Sequence, residues 1–127
     1  MNFKSRYDKP IEECTGVYGI FIDCELVYIG KTAESFKNRF MRHRWRLAAH
    51  IKGKDTSQWR LYEELARAQK SGKQVYLKPL IAIEKLTYNA AIALNNRDIE
   101  TMEYTLILTY KPRLNTLGME KPYSYSI

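Results

Sequence analysis

The sequence is 127 residues long and 45% apolar, which is enough for one domain with a hydrophobic core and too little for a second domain. Its start is polar and lacks the apolar centre of a signal peptide, and its longest apolar run, Ala90 to Leu94, is too short to cross a bilayer. Cys14 and Cys24 lack the spacing of a zinc motif. We therefore expect a cytoplasmic protein with reduced thiols and no membrane partner.

The net charge of +7 is concentrated in one segment. Between Lys31 and Lys54 there are eight basic residues against one acidic residue, which accounts for the whole excess. Because no apolar anchor accompanies these cations, they indicate a polyanionic partner, with nucleic acid favoured over a membrane surface. A solvated basic helix is the alternative. The residues predicted to bind nucleic acid are Lys37, Arg42, Arg44, Arg46, Lys52 and Lys54.

The first predicted elements are a β-hairpin and a helix. Residues 16–22 and 26–30 have the composition of strands and are separated by a short polar turn. Ser35 is a good N-cap, and the residues after it recur at helical spacing as far as Gly53. This basic helix is expected to pack on the hairpin through Phe36, Phe40, Leu47 and Ile51.

A second helix and a third strand are predicted next. Residues 55–57 are suited to cap the helix, which ends at Gly72, and residues 74–86 are rich in strand-forming side chains. The apolar residues assigned to this helix are Trp59, Tyr62, Leu65 and Ala66.

The last predicted elements are a short helix over 89–94 and a longer one over 97–110, which Pro112 stops. A hairpin followed by interleaved helices and a further strand favours a small mixed antiparallel sheet covered by helices. The fold class is therefore expected to be α+β.

Two tyrosines fall on the paired strands, each inside a triplet bounded by glycine. Tyr18 ends the Gly-Val-Tyr triplet 16–18, and Tyr28 begins the Tyr-Ile-Gly triplet 28–30. A strand glycine allows a ligand or another backbone segment to approach closely, which indicates a site. Simple cross-strand packing of the two rings is the alternative interpretation.

Charged residues also lie on the inward stripes of two predicted helices. Arg39 and His43 are one turn apart on the apolar stripe of the basic helix, where an arginine that reaches past the sheet edge into solvent is the alternative to a functional role. Glu103 lies within the apolar face of the last helix, and a buried carboxylate is costly unless it meets a cation or a metal. Glu100 lies off that face and is expected to be solvated. The face consists of Ile99, Met102, Leu106, Ile107 and Tyr110.

In their order along the chain, these residues resemble the GIY-YIG nuclease family. The triplet 16–18 is a conservative variant of the first family motif, and 28–30 has the consensus form of the second. Lys31 follows it, as in many members, and residues 112–115 (Pro-Arg-Leu-Asn) match the terminal proline and asparagine motif. The helical arginine, the histidine of several branches and the metal-binding glutamate correspond to Arg39, His43 and Glu103.

The resemblance covers residues 16–115, which we assign as the nuclease domain. Residues 1–15 are assigned as an N-terminal extension and 116–127 as a C-terminal tail. The segment 45–72 is longer than in minimal members and is expected to be a helical insertion. Small stand-alone phage endonucleases of the family are similar in size and in having such an insertion.

The resemblance implies a central three-stranded antiparallel sheet flanked by helices, and single-step hydrolysis of DNA phosphodiester bonds with one Mg²⁺ or Mn²⁺ ion per site. It implies that Tyr18 is the general base or orients the attacking water, and that Tyr28 lies near the phosphate. Arg39 would stabilise the transition state, and Glu103 would bind the metal. The residues with supporting roles would be Lys31, His43 and Asn115.

A tyrosine base has a demanding electrostatic requirement. The ordinary pKa of tyrosine is about 10, so Tyr18 would need a nearby cation to ionise at neutral pH. Lys31 or the metal ion is expected to supply that charge.

Two other functions remain open at this stage. A catalytically inactive nucleic-acid-binding protein with the same fold would need only the basic helix, whereas all the catalytic positions are filled here. A sequence-specific restriction-type endonuclease acting as an oligomer would need further readout, from the insertion or from Tyr123 and Tyr125 in the tail. We therefore expect a DNA endonuclease of weak or structure-directed specificity, with RNA as an alternative substrate and homo-oligomerisation left open.

Overall fold

The computed structural model describes residues 10–54, 58–83 and 89–115, with the backbone alone for 89–96. Three strands and three long helices make up this part of the chain, preceded by a short 3₁₀ turn, Ile11–Glu13. The strands are β1 (Thr15–Ile22), β2 (Glu25–Thr32) and β3 (Val75–Ile83). The helices are α1 (Phe36–Ile51), α2 (Trp59–Lys70) and α3 (Asn89–Tyr110).

The strands form one antiparallel sheet in the order β2-β1-β3, so β1 is central. The β1–β2 turn contains Asp23, whose φ of 53° is tolerated by the short aspartate side chain. Asp23 is also tied to the start of β3, because its N–H donates to the carbonyl of Gln74 and its side chain accepts from the Gln74 N–H. The predicted α+β class, the hairpin and the three-stranded sheet are all confirmed.

Helices cover both faces of the sheet, so two cores form. One core lies beneath α1 and α2 and includes Tyr18, Ile20 and Ile22 of β1, with Tyr28 of β2 packed against it. The other lies beneath α3 and includes Val17 and Ile29 with Ile99. Because successive strand residues point to opposite faces, both motif tyrosines face α1 and α2.

Helix α1 begins where the sequence predicts, because the Ser35 side chain accepts a hydrogen bond from the N–H of Asn38. Three residues that were assigned to buried faces are instead exposed: Ile51 by 59%, Trp59 by 51% and Tyr110 by 63%. Each is the first or last residue of its helix, where the helix extends beyond the elements it covers.

The predicted break in the last helix is wrong, because α3 is continuous from Asn89 to Tyr110. The residues between the two predicted helices, Asn95 and Asn96, are poor helix formers, but neither removes a backbone donor as proline does. The helix does end before Pro112. Lys111, the residue that follows its last residue, Tyr110, has a φ of 46°. The predicted cap over 55–57 and the predicted strand residues 84–86 lie outside the described residues.

The packed unit begins before the first glycine triplet. Cys14 and Thr15, which the sequence assigned to an extension, are buried, and the carbonyl of Cys14 accepts a hydrogen bond from the N–H of Phe36. Residues 45–51, which were assigned to the insertion, form the last turns of α1. Within the described residues, no helix is both long enough and apolar enough to span a membrane.

Candidate active site

A buried chain of three aromatic side chains lies at the centre of the candidate site. The hydroxyl of Tyr18 is 2.6 Å from Nε2 of His43, and Nδ1 of the same imidazole is 2.8 Å from the hydroxyl of Tyr62. The three residues come from β1, α1 and α2. Tyr18 is 2% exposed, His43 4% and Tyr62 0%, so these contacts have no competition from bulk water.

The glycine of the second triplet makes room for Tyr18. Gly30 lies opposite Tyr18 in the sheet, and a Cβ at Gly30 would be 2.5 Å from the Tyr18 hydroxyl and ring. The glycine of the first triplet serves a backbone contact instead. Gly16 has a φ of 143°, and a Cβ there would collide with the carbonyl oxygen of Ile81. Glycine is therefore required at both motif positions, because a Cβ would collide with the Tyr18 side chain at Gly30 and with the backbone of β3 at Gly16.

Burial keeps Tyr18 and His43 neutral. It raises the pKa of Tyr18 well above its usual range, and the neighbouring Tyr28 raises it further. Burial also lowers the pKa of His43 to about 4, assisted by the charges of Arg39, Arg46 and Arg42. At neutral pH the site therefore contains a phenol and an uncharged imidazole.

Of the two cations expected to lower the pKa of Tyr18, Lys31 does not act on it, and the metal ion stays a prediction. The cation that acts on Tyr18 is Arg39, and burial outweighs its effect. The ammonium of Lys31 forms an exposed ion pair with Glu100 at 2.8 Å. Glu100 is exposed, as predicted, but it is paired with this lysine.

Tyr28 and Arg39 are only partly buried, whereas Tyr18, His43 and Tyr62 are buried. Tyr28 is partly exposed, and its hydroxyl accepts a hydrogen bond of 3.3 Å from the Gln58 side chain, just before α2. Burial raises the pKa of Tyr28, while Gln58 and Arg39 oppose that change. Within the described residues, the buried Nε of Arg39 has no hydrogen-bond partner. The charge of Arg39 nevertheless lowers the pKa of Tyr18, of Tyr28 and of His43.

Glu103 contributes a carboxylate without a partner. It is half-buried on α3, and burial raises its pKa, while Lys31 lowers it and Glu100 raises it. Among the described residues none forms a hydrogen bond or ion pair with Glu103, and in particular no ion pair joins it to Arg39. Its charge raises the pKa of both Tyr18 and Tyr28, so it belongs to the same electrostatic cluster.

A single free carboxylate fits a magnesium ion. No group of three or more His, Cys, Asp or Glu side chains placed to hold a metal ion occurs among the described residues. Mg²⁺ commonly binds one or two carboxylates and completes its shell with water and phosphate oxygens. Glu103 could supply such a ligand, and burial raises the pKa of this carboxyl.

Asn115 has a different position from the other motif residues. Its Oδ1 accepts from the N–H of Ile29 at 2.7 Å, and its Nδ2 donates to the carbonyl of Ile29 at 2.9 Å. Asn115 is 8% exposed, so both polar atoms of the amide are committed to the backbone inside the second triplet. It fixes the strand that carries Tyr28, and we assign it a positioning role in place of a catalytic one.

The predicted nucleic-acid-binding residues divide into two groups. Arg42 donates to both carboxylate oxygens of Glu34, and Arg46 is partly buried beside the Tyr62 hydroxyl, whose pKa it lowers. The remaining four are exposed and form no ion pair within the described part of the chain: Lys37, Arg44, Lys52 and Lys54.

Sequence reasoning missed the roles of Tyr62 and Gln58, which both come from the segment assigned as an insertion. Helical spacing placed Tyr62 on the buried face of its helix, and a tyrosine buried there requires a partner for its hydroxyl. That requirement was the available signal. For Gln58, which precedes α2 with a φ of 58°, no comparable signal exists.

The chain matches no protein-family model, no curated protein and no solved structure.

Proposed function

We propose that this protein is a metal-dependent endonuclease that hydrolyses phosphodiester bonds in DNA, with a GIY-YIG type of site. One observation carries the proposal: the unpartnered carboxylate of Glu103 acts electrostatically on the same two tyrosines as the unpartnered guanidinium of Arg39. A carboxylate and a cation that act on the same two tyrosines, without an ion pair between them, leave a place for a third, charged component. A phosphodiester with a divalent cation fits that description, since it offers a negative charge to Arg39 and a positive one to Glu103.

The protein's own residues would have distinct tasks. Tyr18 is a phenol at neutral pH, so its hydroxyl would hold the attacking water through a hydrogen bond. Arg39 would donate to the non-bridging phosphate oxygens, where charge accumulates in the transition state. Tyr28, the more exposed tyrosine, would contact the phosphate from the side of α2.

Hydrolysis requires that the water oxygen bonds to phosphorus and gives up a proton, that the bond to one bridging oxygen breaks, and that the leaving oxygen gains a proton. Mg²⁺ or Mn²⁺ bound by Glu103 would supply charge neutralisation at the phosphate and lower the pKa of a bound water. No described lysine acts on the pKa of Tyr18 or Tyr28, so Lys31 would act on the carboxylates instead, by pairing with Glu100 and by favouring the charged form of Glu103.

DNA binding would come from the exposed cations of α1 and of the residues after it. Helix α1 contains five lysines and arginines and no acidic residue. Lysine and arginine contacts to phosphates do not depend on the base sequence, so this helix favours weak or structure-directed specificity over reading of a sequence.

The test is incubation of the protein with supercoiled plasmid in the presence of Mg²⁺ or of EDTA. We expect conversion to nicked or linear DNA with Mg²⁺ alone, and a folded RNA transcript in a parallel reaction separates DNA from RNA cleavage. Binding of plasmid without any cleavage in Mg²⁺ or Mn²⁺ would instead support a nucleic-acid-binding protein. Discrete fragments in place of a smear would support the restriction-type alternative.

A further inference from the structure

A groove of about 640 Å³ lies between the end of α1 and one side of α2. Its volume is within the range of pockets that bind small molecules and cofactors. The groove shares no residue with the candidate active site. It is lined mainly by His50 and Ile51 of α1 and by a stripe at helical spacing on α2: Trp59, Glu63, Ala66 and Lys70.

Trp59 gives this groove an accessible aromatic surface. It is 51% exposed, and the neighbouring Ile51 is 59% exposed, so apolar area faces solvent here. The indole nevertheless has a defined neighbour, because the ring of His50 packs against it edge-on with centroids 5.4 Å apart. The His50 side chain is only 8% exposed and is itself held in place. An indole placed in this way can stack on another planar ring.

The charges around the groove indicate the chemistry of that ring. Lys52, Lys54 and Lys70 are exposed at its edge and form no ion pair within the described part of the chain. Glu63, by contrast, lines the groove, with Oε2 3.7 Å from Nε2 of His50. A carboxylate there disfavours a phosphate in the groove and suits a neutral ring with N–H donors. Cations at the edge suit phosphates on either side of that ring.

We propose that this groove binds an unstacked base of the DNA substrate, with Trp59 as the stacking surface and the three lysines at its edge on the flanking phosphates. The bases of a regular duplex have both faces covered by their neighbours, so the bound base comes from a bulge, a flap or a single strand. The inference rests on the proposed function for DNA as the ligand. It identifies the structure-directed substrate as DNA with unpaired nucleotides.

The groove and the candidate active site are within reach of one DNA strand. Helix α1 carries both Arg39 and His50, and their separation along the helix axis is about 16 Å at about 1.5 Å per residue. That length corresponds to about five stacked nucleotides. An unpaired base held on Trp59 would therefore leave a phosphate of the same strand free to lie at Arg39.

Binding of labelled DNA to the wild-type protein in EDTA tests whether a base enters the protein. The probes are a perfect duplex, the same duplex with a single-nucleotide bulge, and that bulge with an abasic nucleotide. We expect the intact bulge to bind about 5- to 150-fold more tightly than the perfect duplex, the range of one base–aromatic stack. The abasic bulge keeps the phosphate and loses the base, so its advantage should disappear. Equal affinity for the intact and the abasic bulge would overturn the proposal.

Replacing Trp59 tests where the base lies. Trp59→Ala should lose the preference for the intact bulge and bind the perfect duplex as the wild type does, whereas Trp59→Phe should keep part of the preference. On the abasic bulge Trp59→Ala should cause no further loss, because the stacking partner is already gone. Trp45→Ala is the matched control, since Trp45 is 71% exposed on α1 but does not line the groove. Equal weakening of duplex and bulge by Trp59→Ala would contradict the inference.

Fluorescence gives a readout that does not depend on removing Trp59. The chain contains two tryptophans, so in Trp45→Phe the emission comes from Trp59 alone. The intact bulge should quench that emission and the abasic bulge should not; equal quenching by both would count against the groove. A Trp59→Ala change that converts an oligomer to a monomer and leaves bulge binding intact would instead make the groove an interface between copies.

Failure of this inference is distinguishable from failure of the nuclease function. Plasmid cleavage in Mg²⁺ without any preference for the bulge would overturn the base-binding groove alone. Bulge binding through Trp59 without cleavage in Mg²⁺ or Mn²⁺ would overturn the nuclease function and support the groove.

Discussion

The Tyr18 hydroxyl and Nε2 of His43 are 2.6 Å apart, and both residues are buried. The Tyr18 ring is held independently, because it packs edge-on against Phe40 at 5.5 Å and fills the space that Gly30 leaves. The Tyr18 hydroxyl can therefore be removed without changing the packing of the ring, because the hydroxyl forms the hydrogen bond and the ring forms the apolar contacts.

Tyr18→Phe is expected to lower the cleavage rate by about 10² to 10³, because it removes the group that would hold the attacking water. DNA binding should be unchanged. Stability should fall by about 1 to 3 kcal/mol, since a buried nitrogen of His43 loses its partner. Single-turnover cleavage, binding in EDTA and urea unfolding measure the three effects. Tyr28→Phe is the matched control for the stability measurement, because Tyr28 loses only an exposed hydrogen bond from Gln58. Near wild-type cleavage by Tyr18→Phe together with inactive Tyr28→Phe would mean that the two roles are reversed.

Protein stability is expected to fall as the pH decreases from about 6.5 to about 4, because of His43. The pKa of His43 is about 4 in the folded protein, below its ordinary 6.5, so in this range the unfolded chain takes up a proton that the folded one does not. Proton uptake by the unfolded state favours unfolding, and the difference corresponds to roughly 3 kcal/mol over the whole range.

His43→Gln should be less stable than wild type at pH 7 and should lose most of this pH dependence. His50→Gln is the control, because it removes the other histidine and should keep the dependence. Urea unfolding at several pH values measures both. If His50→Gln also loses the pH dependence, the titrating residue is not His43 alone.

Asn115→Ala is expected to cost about 2 to 4 kcal/mol of stability, since it leaves the N–H and the carbonyl of Ile29 without their partners inside the protein. Asn115→Asp keeps the acceptor but puts a buried carboxylate oxygen against the carbonyl of Ile29, so at neutral pH it should cost at least as much as the alanine variant. The melting temperatures of the two variants check this order. An Asn115→Ala protein with wild-type stability and no activity would return Asn115 to the catalytic set.

DNA affinity is expected to depend steeply on salt through the exposed cations near α1. If four of them meet phosphates, log K should fall with log salt at a slope of about −3.6, and replacing Lys37, Arg44 and Lys52 with Gln should reduce the slope to about −0.9. The matched control replaces three exposed lysines away from α1: Lys73, Lys78 and Lys111. Equal loss of slope in both triple variants would show that the binding surface is elsewhere.

The local parts of this fold were predictable because single segments determine them. The glycine triplets, the polar turn and strand alternation determine the hairpin, and the Ser35 cap with its apolar spacing determines α1. The continuous α3 was missed because two adjacent asparagines weaken a helix without breaking it.

The partners within the site depend on tertiary packing, and the sequence does not specify them. The identities of Tyr18 and His43 could be selected, but not the 2.8 Å contact that brings Tyr62 to the same imidazole. Likewise, the pairing of Lys31 with Glu100 joins residues 69 positions apart. Burial raises the pKa of Tyr18 by more than Arg39 lowers it, and the depth of that burial is set by tertiary packing.

Glu103→Gln shows whether Glu103 holds a metal ion that cleavage needs. Glutamine is nearly isosteric but is a much poorer magnesium ligand than a carboxylate. Because burial raises the pKa of Glu103 and no described side chain pairs with it, neutralising it should leave the melting temperature unchanged or higher. DNA affinity should stay level or rise, since one negative charge near the phosphate disappears.

The decisive measurement is plasmid cleavage by Glu103→Gln in Mg²⁺, with melting temperature and DNA affinity recorded on the same sample. Glu100→Gln is the matched control, because Glu100 lies one turn away on α3 and is paired with Lys31. The account predicts a stable, DNA-binding Glu103→Gln protein that has lost cleavage, alongside a Glu100→Gln protein that still cleaves. A Glu103→Gln protein that cleaves at the wild-type rate would contradict it.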